Sequence, residues 1–143
     1  MARLGYEIGL CHDLLEDTDT RPEELRESLL SFGYGEEEAA HITGCVLELT
    51  DVFTATAFPD LSKKKRKKKE SARLVGISAD AQTVKYADLI YNIGWVLQYD
   101  QKNAKRYLHK KMRLLDRLKK GNEALRRPAM ALIAKSQAGP IAE

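Results

Sequence analysis

The stretch SADAQTVKYADLIYNIGWV, residues 78–96, predicts a long helix on which the rest of the fold depends. Ser78 is a residue type that favours the N-cap position, because its hydroxyl oxygen accepts a bond from a free backbone N–H. Val84, Tyr91 and Val96 then recur at helical spacing, and no glycine or proline intervenes before residue 94. A helix with this much apolar surface is expected to pack in the interior of a domain.

Three polar residues interrupt the apolar surface of that helix. Lys85, Asp88 and Asn92 fall within about 60° of one another when each residue turns by about 100°. A polar stripe on a mostly apolar helix has to be solvated, paired or functional, because burying it without partners is costly. The structural alternative is an Asp88–Lys85 pair on an exposed face.

Helical patterns continue on both sides of this stretch. We predict a short helix opened by a capping box at Thr20-Arg21-Pro22-Glu23, and further helices from Glu36 to about Leu49, after Ser62, from about Asn103 to Leu118 and from Glu123 to Ala134. No segment shows the period-two alternation of a strand. The sequence therefore predicts one all-α domain over residues 1–136, followed by a frayed tail at 137–143.

The composition sets limits on the class of protein. The 143 residues are 43% hydrophobic and 31% charged, with a net charge of +3, which is typical of a globular domain and not of a disordered chain. Cys11 and Cys45 lie in apolar helical patterns and are expected to be reduced thiols. No stretch is apolar for long enough to span a membrane. The N-terminus does not show the charged-then-apolar pattern of a signal peptide. A cytoplasmic protein is the default expectation.

A cluster of chemically capable residues stands near the start, in the hexapeptide HDLLED of residues 12–17. On a helix, His12, Asp13, Glu16 and Asp17 would lie within an arc of roughly 140°. Three adjacent carboxylates repel one another, and a divalent metal is one efficient way to compensate them. An imidazole among carboxylates suits Mn²⁺, Fe²⁺ or Zn²⁺. The alternative is a solvated acidic helix end.

Taken together, these motifs resemble the HD superfamily of phosphohydrolases. The resemblance rests on His12-Asp13 followed by Glu16-Asp17, and on the later segment Lys85-Tyr86-Ala87-Asp88 with Asn92. More narrowly, the chain resembles the guanosine-tetraphosphate hydrolase domain of the stringent-response enzymes and their small stand-alone relatives. The resemblance extends over roughly residues 5–118 and includes a basic run between the two motifs.

The resemblance implies a helical bundle of the HD type with a bound Mn²⁺. His12, Asp13 and Asp88 match three of the family's four metal ligands. Glu16 and Asp17 match the pair that positions or activates the attacking water, and Asn92 matches an asparagine that contacts the nucleotide. The implied reaction is hydrolysis of the 3′-pyrophosphate of guanosine tetra- or pentaphosphate.

The sequence departs from the family at its beginning. The family's first metal ligand is a histidine well upstream of the HD pair, whereas only eleven residues precede His12 and none is a histidine. The bundle is therefore expected to be N-terminally shortened, either as a fragment or as a natural short form that no longer catalyses. A replacement ligand from His41, His109 or a partner chain is the third alternative. Missing helices would leave Leu4, Ile8 and Leu10 bare, which favours homo-oligomers.

The basic run Lys63-Lys64-Lys65-Arg66-Lys67-Lys68-Lys69 has three interpretations. It could be a solvated helix face, which is the usual fate of such runs, or a patch for nucleic acid. The family context favours contacts between a few cations of the run and the substrate phosphates. We assign Lys64 and Arg66 of the run to that role, together with Lys85 of the later motif. Interleaved aromatic residues are missing, which makes nucleic-acid binding a weaker alternative. A non-catalytic nucleotide-binding or interaction module on the same scaffold is the other alternative function.

Overall fold

The computed structural model describes residues 2–137, and in this part of the chain all regular secondary structure is helical, with no strand. Eight helices follow one another within these residues: α1 Gly5–Cys11, α2 Leu14–Asp17, α3 Pro22–Ser31, α4 Glu36–Leu49, α5 Lys63–Leu74, α6 Ala79–Tyr99, α7 Gln101–Arg117 and α8 Glu123–Gln137. The predicted all-α class is thus confirmed. Of the predicted tail at 137–143, only Gln137 belongs to the described residues, where it ends α8.

Helix α6 occupies the centre of the fold. It packs against α1, α4, α7 and α8, so most of its surface is covered by other helices. Tyr86, Leu89 and Ile93 are completely or almost completely buried along it. The removal of these side chains from water is the main source of stability for such a central helix. The apolar stripe predicted for this segment is therefore the axis of the core.

Polar residues of α6 also hold the connection between α7 and α8. The Tyr86 hydroxyl donates to the Leu118 carbonyl at 2.6 Å and accepts from the Gly121 amide at 3.1 Å. Thr83 Oγ1 accepts from the Asn122 amide at 2.9 Å. Because these bonds satisfy buried and part-buried polar groups on both sides, they hold the connection against α6.

The predicted caps are correct at two helices and wrong at a third. The Ser62 hydroxyl accepts from the Lys65 amide, and the Ser78 hydroxyl accepts from the Ala81 amide, as expected for N-caps. Helix α3 instead has Arg21 at its N-cap with no side-chain bond. Thr20 lies one position before this N-cap, and its hydroxyl pairs with that of Thr18 at 2.8 Å. The capping box predicted at residues 20–23 is therefore absent.

The N-terminal helix is interrupted where a continuous one was expected. Helix α1 ends at Cys11, and α2 begins only at Leu14. His12 Nδ1 lies 2.6 Å from the Gly9 carbonyl oxygen, which is the acceptor that the Asp13 amide would use in a continuous helix. This side-chain bond competes with the helical ladder and interrupts it at His12-Asp13, although both residues keep right-handed helical dihedral angles. The arc of roughly 140° predicted for residues 12–17 therefore does not apply.

The N-terminal apolar residues have different environments. Ile8, which was expected to be exposed, is completely buried on the inner side of α1, whereas Leu4 is half-buried and Leu10 is exposed. The expectation of exposure is therefore correct for Leu10 and wrong for Ile8. Within residues 2–137, no helix combines the length and the apolar character that crossing a membrane requires.

Candidate functional site

A polar cavity of about 240 Å³ lies where the turn after α1, the C-terminal end of α4 and the middle of α6 meet. Its lining combines acidic, basic and amide side chains with two apolar ones: His12, Asp13, Glu16, Leu49, Asp51, Val84, Lys85, Asp88 and Asn92. Most of the site residues expected from the sequence thus share one cavity, although they come from two distant segments. We refer to it below as the polar cavity.

His12 is oriented by the same bond that interrupts the N-terminal helix. With Nδ1 at the Gly9 carbonyl, Nε2 points toward two carboxylates and lies 3.2 Å from Asp13 Oδ1 and 3.4 Å from Asp88 Oδ1. The hydrogen bond with Asp88 raises the pKa of His12 to about 9, although partial burial opposes the shift. The imidazole is therefore held as a cation between the two acids.

Asp88 is the centre of the polar stripe on α6. Its Oδ2 atom lies 3.3 Å from Lys85 Nζ, and its Oδ1 atom accepts a 3.2 Å bond from the Asn92 amide. Burial by itself would raise the pKa of Asp88, but the bond from His12 and the charge of Lys85 outweigh it, and the pKa is lowered. Asp88 is thus ionised and faces the cavity with partners on three sides.

Glu16 closes the cavity from the short helix α2. Its Oε1 atom accepts the Asp51 amide at 2.5 Å, and burial raises the pKa of its carboxyl group. Asp17, its neighbour in the predicted catalytic pair, is exposed and does not line the cavity. Consecutive residues of a helix point about 100° apart, so the direction that turns Glu16 toward the cavity turns Asp17 away from it.

Asp51 is a cavity residue that the sequence analysis did not single out. It follows the last turn of α4, and burial raises the pKa of its carboxyl group. The segment around it is held by Glu70 of α5, whose Oε1 atom accepts the amides of Val52 and Phe53, each at 2.6 Å. Arg73 in turn bonds Glu70 and the Thr50 carbonyl. The only sequence signal was the position of Asp51 directly after a predicted helix end.

The basic run contributes less to the cavity than expected. Lys85 lines it, but Lys64 and Arg66 do not. The Arg66 guanidinium instead donates to the Leu61 carbonyl, just before α5 begins. Lys64 is exposed on α5.

Helix α7 brings two further residues near the stripe, which the sequence analysis also missed. Burial lowers the pKa of Lys111 to about 8, and the nearby charges of Lys85 and Lys67 lower it further. Tyr107 lies beneath Lys111, with the ammonium nitrogen 5.2 Å from the ring centroid. Burial and the charge of Asp88 raise the pKa of Tyr107. Both residues were predicted only as part of an amphipathic helix, which says nothing about the neighbour it packs against.

The two histidines considered as replacement ligands lie elsewhere. His41 Nε2 is 3.1 Å from Asp80 Oδ2 and near the Arg3 carbonyl, so it joins α4 to the start of α6. His109 is exposed on α7. Neither residue lines the polar cavity.

His12, Asp13 and Asp88 are the candidate ligands for a divalent metal. Among residues 2–137, no three or more His, Cys, Asp or Glu side chains form a complete metal-binding group. The separations of His12 Nε2 from the two carboxylate oxygens, 3.2 and 3.4 Å, nevertheless suit neighbouring ligands with bonds of about 2.1 Å. The bond from Nδ1 to a carbonyl is also the usual way in which a metal-binding imidazole is oriented. Asp13 and Asp88 thus lie at ligand-like separations from His12, whereas a group of three ligands is not formed among the described residues, and the metal stays a prediction.

Comparisons of the chain with protein-family models, with curated proteins and with solved structures found no match.

Proposed function

We propose that this chain is an HD-type, metal-dependent phosphohydrolase that acts on a pyrophosphorylated guanine nucleotide. The observation that supports it best is the meeting of His12 and Asp13 with Asp88 at one cavity, as the resemblance requires. Glu16, Lys85 and Asn92 line the same cavity. The part of the proposal that names the nucleotide rests on the motif resemblance, and the part that names the metal rests on the donor set.

In this proposal, His12, Asp13 and Asp88 hold a divalent cation, with Mn²⁺ the expected ion. Imidazole and carboxylate ligands together suit such ions. When bound, the cation lowers the pKa of a water and polarises the phosphoryl oxygen. The positive charge that His12 carries between the two acids is then replaced by that of the ion, so His12 binds as a neutral imidazole.

Glu16 is proposed to orient the attacking water and to accept its proton. Its raised pKa brings the carboxyl group closer to the working range of a general base. The bond from the Asp51 amide keeps one of its oxygens in place and leaves the other for the water. Asp17, which is exposed, is assigned at most an indirect role.

Lys85 and Asn92 are proposed to receive the nucleotide. Both bond to Asp88 from the same face of α6, so they are close to the reacting centre and already oriented. The ammonium group of Lys85 offsets charge on the phosphates, and the Asn92 amide can bond to the nucleoside part. Pre-oriented groups of this kind lose little freedom when substrate binds.

The decisive experiment is release of pyrophosphate from guanosine tetraphosphate by the purified chain. Wild type and Asp88→Asn are compared with Mn²⁺ and with a chelator. Release that needs Mn²⁺ and disappears in Asp88→Asn is the expected result. Absence of release in wild type under both conditions would contradict the proposed activity.

One observation favours a second function, a non-catalytic nucleotide-binding module. His12 already satisfies both carboxylates as a cation, so the cluster has no need of a metal for charge balance. Equilibrium dialysis with guanosine tetraphosphate in chelator separates the two functions. Binding without any release in Mn²⁺ would support the module, whereas metal-dependent release supports the enzyme.

A further inference from the structure

Two positively charged segments that are far apart in the sequence, α5 and α7, are close enough for their charges to act on each other. Lys67 of α5 has its pKa lowered by burial and then by Lys63, Lys110 and Arg106. Two of these three cations, Lys110 and Arg106, belong to α7. The basic run is therefore only one half of a larger positive surface, which we call the α5–α7 basic face.

Helix α7 contributes a complete basic side to this face. Its exposed cations lie within an arc of roughly 140° along the helix, while Leu108 and Leu115 are buried on the opposite side. These cations are Lys102, Lys105, Arg106, Lys110, Arg113 and Arg117. Residues 101–115 contain no Asp or Glu. From residue 102 to residue 113 the face is about 16 Å long.

The charges of the basic face are not balanced by the acids of the same two helices. Glu70 of α5 is bonded to Arg73 and to two backbone amides, and Asp116 is the one acidic residue of α7. Residues 63–69 and 101–115 together hold more than half of the 24 lysines and arginines of the chain. Such a concentration of like charge is unfavourable unless a polyanion or its counterions neutralise it.

The composition of the face indicates which polyanion suits it. The exposed side of α7 carries no large apolar residue among its cations, whereas helices that bind membrane surfaces insert an apolar side. It also carries no exposed aromatic side chain, and single strands are usually held by stacking on aromatic rings. A rigid, regular row of phosphates fits two rigid helices that carry only point charges.

We propose that the α5–α7 basic face binds the phosphate backbone of duplex nucleic acid without reading its sequence. The inference is independent of the hydrolase activity, because it uses cations that do not line the polar cavity. Binding of this type releases condensed counterions, so it weakens steeply as salt is added.

The test measures fluorescence anisotropy of a labelled 20-base-pair duplex, as DNA and as RNA, over a series of salt concentrations. The quadruple variant Lys63→Ala, Lys67→Ala, Arg106→Ala and Lys110→Ala removes the centre of the face. A matched control removes four exposed cations elsewhere: Arg21→Ala, Arg26→Ala, Arg127→Ala and Lys135→Ala. Both variants change the net charge equally, so they separate a local surface from overall charge.

The proposal expects the quadruple variant to lose at least about tenfold in affinity and to show a salt slope smaller by about 3. The control should stay within about twofold of wild type. Circular dichroism should show an unchanged helical signal in both, because the removed side chains are exposed. Equal loss in both variants, or no binding by wild type at low salt, would overturn the proposal. So would binding to phosphatidylserine vesicles without binding to either duplex.

Discussion

The Nε2 atom of His12 lies 3.4 Å from Oδ1 of Asp88, which joins the end of α1 to the middle of α6. A second link stands at the other end of α1, where the Arg3 amide donates to Asp80 Oδ1 at 3.2 Å. The two helices therefore run parallel along this length, with Ile8 buried on α1. This alignment brings the HD pair to the level of the polar stripe on α6.

Replacing Asp88 with Asn should weaken Mn²⁺ binding by about ten- to a hundredfold. The substitution keeps the size of the side chain but removes the charge that both His12 and Lys85 contact. Isothermal titration calorimetry with Mn²⁺ measures the change. Asp19→Asn, an exposed carboxylate outside the cavity, is the matched control and should bind as wild type. Equal Mn²⁺ affinity in Asp88→Asn and wild type would remove Asp88 from the proposed ligands.

Glu16→Gln should leave Mn²⁺ affinity nearly unchanged and lower kcat by about a hundredfold. The amide oxygen of Gln can still accept the Asp51 amide, so the cavity wall is kept while the base is lost. Steady-state pyrophosphate release measures kcat, and calorimetry measures the metal. Asp17→Asn, assayed beside it, should cause a much smaller loss because Asp17 does not line the polar cavity. A larger effect at Asp17 than at Glu16 would reverse the two assignments.

Stability should fall as the pH rises through the titration of His12. Its pKa in the folded protein, about 9, lies above the ordinary value of 6.5. The ion pairs with Asp13 and Asp88 therefore stabilise the fold fully below pH 6.5, and this contribution is lost as the pH passes about 9. Lys85 and Asn92 of α6 also bond to Asp88, and Tyr107 and Lys111 of α7 are near enough to feel its charge.

Urea unfolding of wild type and His12→Gln in chelator, at several pH values, checks this prediction. The stability difference between the two proteins should be largest in mild acid and should shrink toward pH 9. Lys111 acts in the opposite sense, because its pKa is lowered from 10.5 to about 8 and its deprotonation above that value favours the fold. Taking the difference between the proteins removes this common contribution. A difference that does not change with pH would show that His12 is not held as a cation.

Gly121→Ala should destabilise the protein by about 1–3 kcal/mol. A Cβ atom there would overlap the ring of Tyr86 and lie 2.9 Å from the Thr83 amide nitrogen. Tyr86 is completely buried, so its ring has no room to move away. Urea unfolding of the variant measures the loss.

Gly94→Ala is the control for the Gly121 experiment. Gly94 is an exposed residue of α6, and nothing lies within 4 Å of an added Cβ. Since alanine favours a helix more than glycine does, the variant should be as stable as wild type or more stable by up to about 1 kcal/mol. Destabilisation of equal size at both positions would show that the Tyr86 contact is not the cause.

The helices themselves were largely predictable, because their signals are local. The helix at Glu36–Leu49 has the predicted bounds, and Ser62 and Ser78 cap the helices they were expected to cap. The interruption at His12 was not predictable from periodicity. It depends on one ring nitrogen reaching the Gly9 carbonyl, and the apolar stripe continues past it.

The candidate site was predictable only in part. His12, Asp13, Glu16, Lys85, Asp88 and Asn92 line the polar cavity, whereas Asp17, Lys64 and Arg66 do not. Asp51 and Lys111 were missed, because their neighbours come from other helices. The sequence by itself determined which segments are helical and which side chains carry capable chemistry, since both follow from residue types and spacing within a few turns. Only the tertiary structure decided which of these side chains meet, because contacts between distant segments depend on how the helices pack around α6.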